Sequence, residues 1–322
     1  MPNVLNIHKI LDSEIRRKNI ESLRFALRGY YRRLANIEPP HDPVFVIGCS
    51  RAGTTVTFET IACHPTFKTL GYELTRLWHH LHHPGRNSWH SEAATSADAN
   101  ADHRNAILSH WYQRLGNGWY LDKSCINTLR IPYLYALFPK ARFIYVHRDG
   151  RSNISSLMDG WRQGARFDLR QYLGDLPERV AITDGEHTFN HWCFFLPSAW
   201  REFNEASLEE VCAHQWNTAN RMALEGRAVI PDRQWIQVAY EDLFSRPVAL
   251  FSEICEKLEI PFDPAVEQRC SNLTSHQTSI VNGPPALEKW RSRNPEAIEK
   301  ILPQIAPLMD KLGYPIQSQD QQ

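Results

Sequence analysis

The residues best suited to chemistry lie in one short segment, in which a strand turns into a helix through two glycines. Residues 44–47 are apolar, three of the four are β-branched, and they predict a short buried strand. Gly48 and Gly53 bound the turn that follows, and the residues from Thr54 onward have the apolar spacing of a helix. Free backbone N–H groups and the positive end of the helix dipole converge on a loop of this kind. The segment therefore predicts a binding site for a phosphate-like anion.

The loop has the frame of a nucleotide triphosphatase loop but lacks its lysine. It reads Gly-x4-Gly-Thr-Thr, where a triphosphatase has Gly-x4-Gly-Lys followed by serine or threonine. Arg51 lies inside the loop instead. A plain turn between strand and helix explains the two glycines but not an arginine beside two threonines. The sequence therefore favours a single phosphate-like group over a triphosphate with magnesium.

An alternation of strands and helices positions this loop. Further strands are predicted at 119–123, 142–148 and 235–240, and helices at 103–115, 128–138, 152–161 and 247–258. This order predicts an α/β protein with a P-loop-like three-layer fold, a central parallel sheet flanked by helices. Such sheets bind ligands at the carboxyl ends of their strands, where the glycine loop, Lys123 and Arg148 would all lie.

We predict one domain for the 322 residues, in three parts. These are an N-terminal basic helical segment at 1–40, an α/β core at 43–312, and a helical insertion around 160–231. The first part is basic, because residues 1–38 contain eight Lys/Arg and four Asp/Glu. Its apolar residues recur at helical spacing and predict the face that packs on the core, while Arg24, Arg28 and Arg32 lie on another face and predict a solvated one. An alternative function for the basic face is contact with acidic lipid or with an acidic acceptor.

The loop residues resemble those of a known enzyme family. Sulfotransferases that use 3′-phosphoadenylyl sulfate (PAPS), in their bacterial and Golgi-type branches, carry a 5′-phosphosulfate loop that reads Arg-Ser-Gly-Thr-Thr. The corresponding residues in this chain are Arg51, Ala52, Gly53, Thr54 and Thr55. Only Ala52 departs from the family pattern.

A second resemblance concerns the strand predicted at 142–148. The family carries an arginine at the end of a strand and a serine eight residues later, which together bind the 3′-phosphate of the nucleotide. Arg148 and Ser156 have that spacing. A guanidinium forms bidentate bonds with phosphate, and a hydroxyl near a helix start adds another donor. The resemblance therefore implies that both residues bind the nucleotide.

The resemblance also implies two catalytic residues, Lys123 and Glu73. Lys123 is similar to the strand-end lysine of the family, but Cys125 stands where cytosolic members place a histidine base. The segment from Gly71 to Arg76 looks like the Gly-Glu-Glu-Thr-Arg segment of tyrosylprotein sulfotransferases, in which a glutamate is the base, although it carries a one-residue insertion. Glu73 is therefore the predicted base. A carboxylate favoured by a helix N-terminus is the alternative explanation.

Together these motifs imply in-line transfer of a sulfuryl group from PAPS to an acceptor hydroxyl or amine. Adenosine 3′,5′-bisphosphate would be the product, and no metal would be required. Two alternatives use the same residues: a nucleotide phosphotransferase or hydrolase with a degenerate P-loop, and a non-catalytic binding module. The first predicts magnesium dependence and leaves Arg148 and Ser156 unexplained.

The acceptor is less defined by the sequence. Residues 187–200 hold five aromatic side chains and no charged one, which predicts either the wall of a pocket for an apolar acceptor or a buried helix. Arg162, Arg166 and Arg170 favour an acidic acceptor instead. We expect a small-molecule, glycan or lipid-linked acceptor, with peripheral membrane contact through the basic N-terminal helix as one option.

Charge and cysteine content bear on the partners and on the cellular compartment of the chain. The chain has 36 Lys/Arg and 36 Asp/Glu, so net charge singles out no partner and no nucleic-acid partner is expected. Seven scattered cysteines without a Cys-x-x-Cys pair suggest a reducing compartment. With no apolar signal or membrane-spanning run, we predict a cytoplasmic location. The histidines of 79–83 could hold a metal, but a solvated helix end is the preferred interpretation.

Overall fold

A parallel sheet carries the predicted anion loop at its carboxyl edge. The computed structural model describes residues 4–273, 287–314 and 316, with side chains from residue 17 onward. The described strands are β1 (Val44–Ile47), β2 (Phe67–Lys68), β3 (Trp119–Lys123), β4 (Arg142–His147), β5 (Ile182–Thr183), β6 (Thr188–Phe189) and β7 (Trp235–Ala239). Five of them form one sheet in the order β2-β3-β1-β4-β7, and every pairing in it is parallel. The predicted fold class is confirmed.

The strand register brings the three predicted site segments to one edge of the sheet. Val46 of β1 pairs with Lys123 of β3 on one side and with Ile144 of β4 on the other. The chain therefore leaves β1, β3 and β4 at neighbouring points. Every residue of β1 is fully buried, because helices cover both faces of this central strand.

Helices fill the connections between the strands and cover the sheet. The described α-helices are α1 (Val4–Leu34), α2 (Thr54–Ile61), α3 (Thr75–Leu81), α4 (Ala101–Leu115), α5 (Ile131–Leu137), α6 (Gly150–Trp161), α7 (Arg170–Leu173), α8 (Leu208–Arg227), α9 (Asp242–Ser245), α10 (Pro247–Lys257), α11 (Pro264–Ser271), α12 (Trp290–Arg293) and α13 (Pro295–Lys311). The helix predicted at 128–138 begins as a 3-10 helix at Cys125–Arg130 and continues as α5. The other predicted helices begin and end within two residues of the observed bounds.

The aromatic segment 187–200 is not a helix. It contains β6, which pairs antiparallel with β5, then an irregular run that ends at a 3-10 helix, Trp200–Phe203. Trp192 and Phe195 are buried in the core, whereas Phe194 has a left-handed backbone conformation, φ 67°, that directs its ring away from theirs and into a cavity. The segment therefore supplies both core and cavity wall, and the prediction of a buried helix is wrong.

Helix α1 does not pack with its apolar face as predicted, and of its basic face Arg32 is buried while Arg24 and Arg28 are exposed. Arg32 is buried, and its guanidinium donates to Asn105 Oδ1 at 3.2 Å and to Glu38 Oε1 at 3.0 Å. Gly29 lies so close to Gln113 of α4 that a Cβ atom there would clash with the Gln113 amide. The apolar residues predicted to face the core are exposed instead. Helical periodicity defines two faces but does not reveal which one the rest of the chain covers.

Candidate active site

The glycine loop turns sharply at both of its ends. Gly48 has φ 152°, and a Cβ atom there would lie 2.3 Å from the Val146 carbonyl oxygen of β4. Gly53 has φ 105°, and a Cβ atom there would lie 2.4 Å from the Tyr240 ring. Between them Arg51 has φ 70°, a conformation that non-glycine residues seldom adopt. Gly53 begins α2 without a side-chain cap, so the first N–H groups of this helix face the loop.

Two buried side chains hold the loop against the neighbouring elements. The Gly48 N–H donates to Thr128 Oγ1 at 2.7 Å, and the Thr128 hydroxyl donates back to the Gly48 carbonyl at 2.9 Å. Asn153 of α6 donates from Nδ2 to the Ser50 carbonyl at 2.9 Å. These bonds satisfy loop groups that the strand ladder no longer reaches, and they fix the loop conformation.

Two arginines meet beside the loop. Arg148 follows β4 directly, is only 7% exposed, and donates from Nη1 to the Arg51 carbonyl at 3.2 Å. Its guanidinium carbon lies 4.2 Å from the centre of the Tyr240 ring, within the range of a cation–π contact. Arg51 donates from Nε to Ser156 Oγ at 3.2 Å. The predicted 5′-phosphosulfate loop and the predicted 3′-phosphate pair thus touch each other.

This positive cluster contains an unused donor. In the part of the chain that the structure describes, Arg148 Nε is buried and has no hydrogen-bond partner. Burial lowers the pKa of Arg51, and the nearby Arg148 guanidinium lowers it further. Both observations fit a place where an anion binds, because an anion would supply the missing acceptor and offset the repulsion between the two cations.

Glu73 and Lys123 form a second cluster across the same edge of the sheet. Lys123 Nζ donates to Glu73 Oε1 at 2.7 Å, and the Cys125 backbone N–H donates to Glu73 Oε2 at 3.3 Å. The carboxylate therefore has both oxygens held. Lys123 is only 4% exposed at its side chain, whereas Glu73 is 29% exposed and lines the cavity. Burial lowers the pKa of Lys123, but the Glu73 carboxylate more than compensates, and the net result is a raised pKa.

Two further titratable groups with raised pKa values lie near this ion pair. Burial, reinforced by the Glu73 carboxylate, raises the pKa of Asp122 to about 7. Burial and then Glu73 raise the pKa of the Cys125 thiol to about 11. Cys125 is therefore a neutral thiol at physiological pH, which is a poor nucleophile and a poor base.

One cavity of about 550 Å³ connects the two clusters. Of the predicted site residues, Arg51, Gly53, Thr54, Thr55, Glu73, Arg148 and Ser156 line it. Ala52 is fully buried beneath the loop, and Lys123 reaches the cavity only through Glu73. The structure thus places seven of the nine predicted residues in the lining of the same cavity.

Sequence reasoning missed much of the cavity wall. Tyr240 follows β7, and its ring lies against both Arg148 and the Gly53 position. Aromatic side chains also line the cavity, and they include Phe167, Phe194 and Tyr172. The aromatic content of 187–200 pointed to Phe194 but not to the other two.

The histidines of 79–83 point in different directions. His79 is buried and bonds through Nε2 to Glu92 Oε1, whereas the His82 ring packs edge-on against Tyr133 with centroids 4.4 Å apart. Burial lowers the pKa of His82 to about 4, so it is neutral at physiological pH. Within the described ranges, no group of three or more His, Cys, Asp or Glu residues is arranged to hold a metal ion.

Comparisons with curated proteins find relatives in animals. The chain is 22% identical over 293 residues to protein-tyrosine sulfotransferase A of Caenorhabditis elegans, covering 84% of this chain and 67% of that protein. It is 23% identical over 297 residues to protein-tyrosine sulfotransferase 1 of Danio rerio, covering 84% and 72%. For the protein-tyrosine sulfotransferase of Drosophila melanogaster the shares are 84% and 51%. The chain thus spans between half and three quarters of the length of these relatives.

Comparison with solved structures supports the fold. The sulfotransferase STF9 of Mycobacterium avium superposes with a TM-score of 0.56 at 17% identity, over 88% of this chain and 81% of that one. At an identity this low, the superposition shows that the two folds are similar but does not show that the substrates are.

The predicted cytoplasmic location is wrong. The curated relatives are protein-tyrosine sulfotransferases, and enzymes of that class are Golgi enzymes. The even distribution of seven cysteines was too weak a signal to assign a compartment. Among the described residues, no helix is both long and apolar enough to cross a membrane.

The family itself is identified by the match across the core. The sequence pattern of the sulfotransferase family matches residues 43–193 and 184–264, from β1 through α10, and so includes the glycine loop, Glu73, Lys123 and Arg148. Because this match covers well over half of the 322 residues, the chain belongs to the sulfotransferase family.

Proposed function

We propose that this chain transfers a sulfuryl group from PAPS to an acceptor hydroxyl. The observation that carries the proposal is the lining of one cavity, in which two neighbouring arginines, Arg51 and Arg148, form a nucleotide end and the Glu73 carboxylate bonded to Lys123 forms an acceptor end. A cation cluster suits a nucleotide with several anionic groups, and a held carboxylate suits removal of a proton.

The nucleotide end would be formed by the loop and by α6. Arg51 and the N–H groups of Gly53, Thr54 and Thr55 would bind the 5′-phosphosulfate, and Arg148 with Ser156 would bind the 3′-phosphate. The partnerless Nε of Arg148 supports this assignment, because a buried guanidinium donor without an acceptor is costly. PAPS, when bound, supplies the activated sulfuryl group and leaves as adenosine 3′,5′-bisphosphate. The Tyr240 ring would help to hold the Arg148 guanidinium in place through their cation–π contact.

At the acceptor end, Glu73 would take the proton of the attacking hydroxyl on one of its carboxylate oxygens. The Lys123 ammonium and the Cys125 N–H each donate to this carboxylate and so fix its plane. Lys123 stays protonated at neutral pH, since its pKa is raised, and its charge would offset the negative charge that develops on the leaving oxygen. The residues would act by position and charge, as in phosphoryl transfer.

The acceptor that fits best is a hydroxyl on an aromatic ring. Phe167, Phe194 and Tyr172 form an apolar aromatic wall of the cavity, against which such a ring would pack with its edge or face. The names of the curated relatives, protein-tyrosine sulfotransferases, agree with a phenolic acceptor.

Calorimetric titration with adenosine 3′,5′-bisphosphate tests the nucleotide end, with ATP plus magnesium as the comparison. Replacing Arg148 with alanine removes at least one charge-assisted bond, and we expect the affinity to fall about 10- to 100-fold. Arg151→Ala is the matched control. Arg151 lies in the first turn of α6, three residues after Arg148, but it pairs with Asp149 at 2.5 Å and does not line the cavity. Its removal should therefore change the affinity less than about threefold.

The chemical step is tested by Glu73→Gln, which keeps the shape and the acceptor oxygen that faces Lys123. We expect bisphosphate affinity to be unchanged and turnover of PAPS with a phenol to fall about 10²- to 10⁴-fold. Unchanged turnover would remove Glu73 from the mechanism. Magnesium-dependent ATP binding without bisphosphate binding would replace the proposal with the degenerate P-loop phosphotransferase, and bisphosphate binding without turnover of any acceptor would favour a binding module.

A further inference from the structure

Helix α1 presents an apolar stripe to solvent. Its members are 53% to 73% exposed, and they are Ile20, Leu23, Leu27, Tyr30, Tyr31 and Leu34. At 3.6 residues per turn they fall within an arc of about 100° and extend over about four turns. Scattered exposed apolar residues are common, but a continuous stripe of this length marks a surface that something covers.

In the described part of the chain, no other segment covers this stripe. The opposite face of α1 packs on α4, with Gly29 against Gln113 and with the buried Arg32 bonded to Asn105. Arg33 adds a bond from Nε to Ser109 Oγ at 3.4 Å. Because this polar face already holds the helix in place, the apolar stripe is left for an outside partner.

The charges around the stripe define the chemistry of that partner. From residue 17 to the end of α1, Glu21 is the one acidic residue, and the exposed basic residues are Arg17, Lys18, Arg24, Arg28 and Arg33. By helical geometry Arg17, Arg24 and Arg28 follow one border of the stripe, within about 60° of it. A long apolar stripe with a basic border, and with tyrosines at one end, is the pattern of a helix that lies in a membrane interface.

We propose that α1 docks the chain onto an anionic lipid bilayer, with the stripe inserted among the lipid chains and the bordering arginines among the headgroups. Charge complementarity decides between this partner and a second copy of the chain. Two copies joined through their stripes would bring their basic borders together, which is repulsive, whereas an anionic surface attracts each exposed cation. The inference is independent of the sulfuryl-transfer proposal, because no residue of the stripe or its border lines the cavity.

Co-sedimentation of the 322-residue chain with vesicles tests the proposal. Vesicles of phosphatidylcholine alone are compared with vesicles that also contain phosphatidylserine. We expect binding to the anionic vesicles, weakening as salt is added, and little binding to the neutral ones. Leu23→Ser/Leu27→Ser should reduce the bound-to-free ratio at least tenfold, because it removes apolar area from the stripe.

Two further variants separate charge from apolar contact. Arg17→Glu/Arg24→Glu should reduce the bound-to-free ratio at least 25-fold, because each cation removed weakens binding about fivefold. Val229→Ser/Val248→Ser is the matched control, since it replaces two exposed apolar residues far from α1 in sequence and should bind as the parent chain does. Bisphosphate titration of each variant checks that the core is folded.

The outcomes are distinct. Loss of vesicle binding in both α1 variants, with the control unaffected, supports docking on lipid. No binding to anionic vesicles overturns it, as does equal binding by parent and Leu23→Ser/Leu27→Ser. A dimer in sedimentation that the leucine variant dissociates, without vesicle binding, assigns the stripe to a second copy and also overturns the proposal.

Discussion

Replacing Thr128 with valine tests whether the anion loop depends on its tether to the 3-10 helix at Cys125–Arg130. Valine has nearly the shape of threonine but no hydroxyl. The change removes the acceptor of the Gly48 N–H at 2.7 Å and the donor to the Gly48 carbonyl at 2.9 Å. Both residues are buried, so water does not readily replace either partner.

The expected loss in the free energy of unfolding follows from these two hydrogen bonds. A buried donor left without a partner costs about 1–3 kcal/mol, and losing the second bond adds about 1 kcal/mol. We therefore expect Thr128→Val to lower the free energy of unfolding by about 2–4 kcal/mol. Thr128→Ser is the matched control: it keeps the hydroxyl, loses one methyl group, and should cost about 1 kcal/mol.

Urea unfolding of the three proteins measures this difference, provided that the dependence of the free energy on urea keeps the same slope. Because Gly48 begins the loop, we also expect Thr128→Val to weaken bisphosphate binding about tenfold or more, and Thr128→Ser to weaken it much less. If the valine and serine variants unfold at the same urea concentration and bind equally well, the tether does not hold the loop and the reasoning fails.

Three other substitutions have defined outcomes. Gly53→Ala combines a positive φ with a Cβ clash against Tyr240, and it should weaken bisphosphate binding at least tenfold in calorimetry; Gly71→Ala, also at positive φ but in open space, should leave binding intact. Tyr240→Leu should weaken bisphosphate binding about fivefold by removing the ring under Arg148, while Tyr240→Phe should not, and equal losses would argue against the cation–π contact. Asp122 has a pKa of about 7 in the folded chain, raised by burial and by a nearby carboxylate, so its contribution to stability is present at low pH and is lost as the pH rises through 7. Relative to the parent chain, Asp122→Asn should gain stability between pH 4 and 7 by up to about 1.4 kcal/mol per pH unit in urea unfolding, and a pH-independent difference would contradict this.

The sequence predicted the elements of the core because each has a local signature. The apolar run before Gly48 and the β-α alternation after it define the sheet, whereas the pairing of Arg148 with Ser156 came from the resemblance to the sulfotransferase family. What it could not predict were contacts between distant segments. Nothing local indicates that Tyr240 lies under Arg148, or that Glu73 meets Lys123 fifty residues later at 2.7 Å. Such contacts depend on how the strands are ordered in the sheet.

The packing of helix α1 also depends on a contact that its own sequence does not indicate. Its periodicity separates an apolar face from a basic one, and the usual rule buries the apolar face. The apolar face is exposed instead because the surface of α4 that faces α1 offers Asn105, Ser109 and Gln113, which contact Arg32, Arg33 and the bare backbone at Gly29. The composition of the facing helix, and not that of α1, decides which side is buried.

The strand order also has a consequence for how the chain folds as it is made. The central strand β1 gains its first partner only when Leu121 is available to pair with Val44, 77 residues later, and its second when Arg142 follows. At a synthesis rate of about 5–20 residues per second, the apolar run of β1 waits for several seconds without a neighbour. Until then the apolar strand that positions the anion loop lacks the neighbours that bury it, so aggregation competes with folding, and slower translation lengthens this interval.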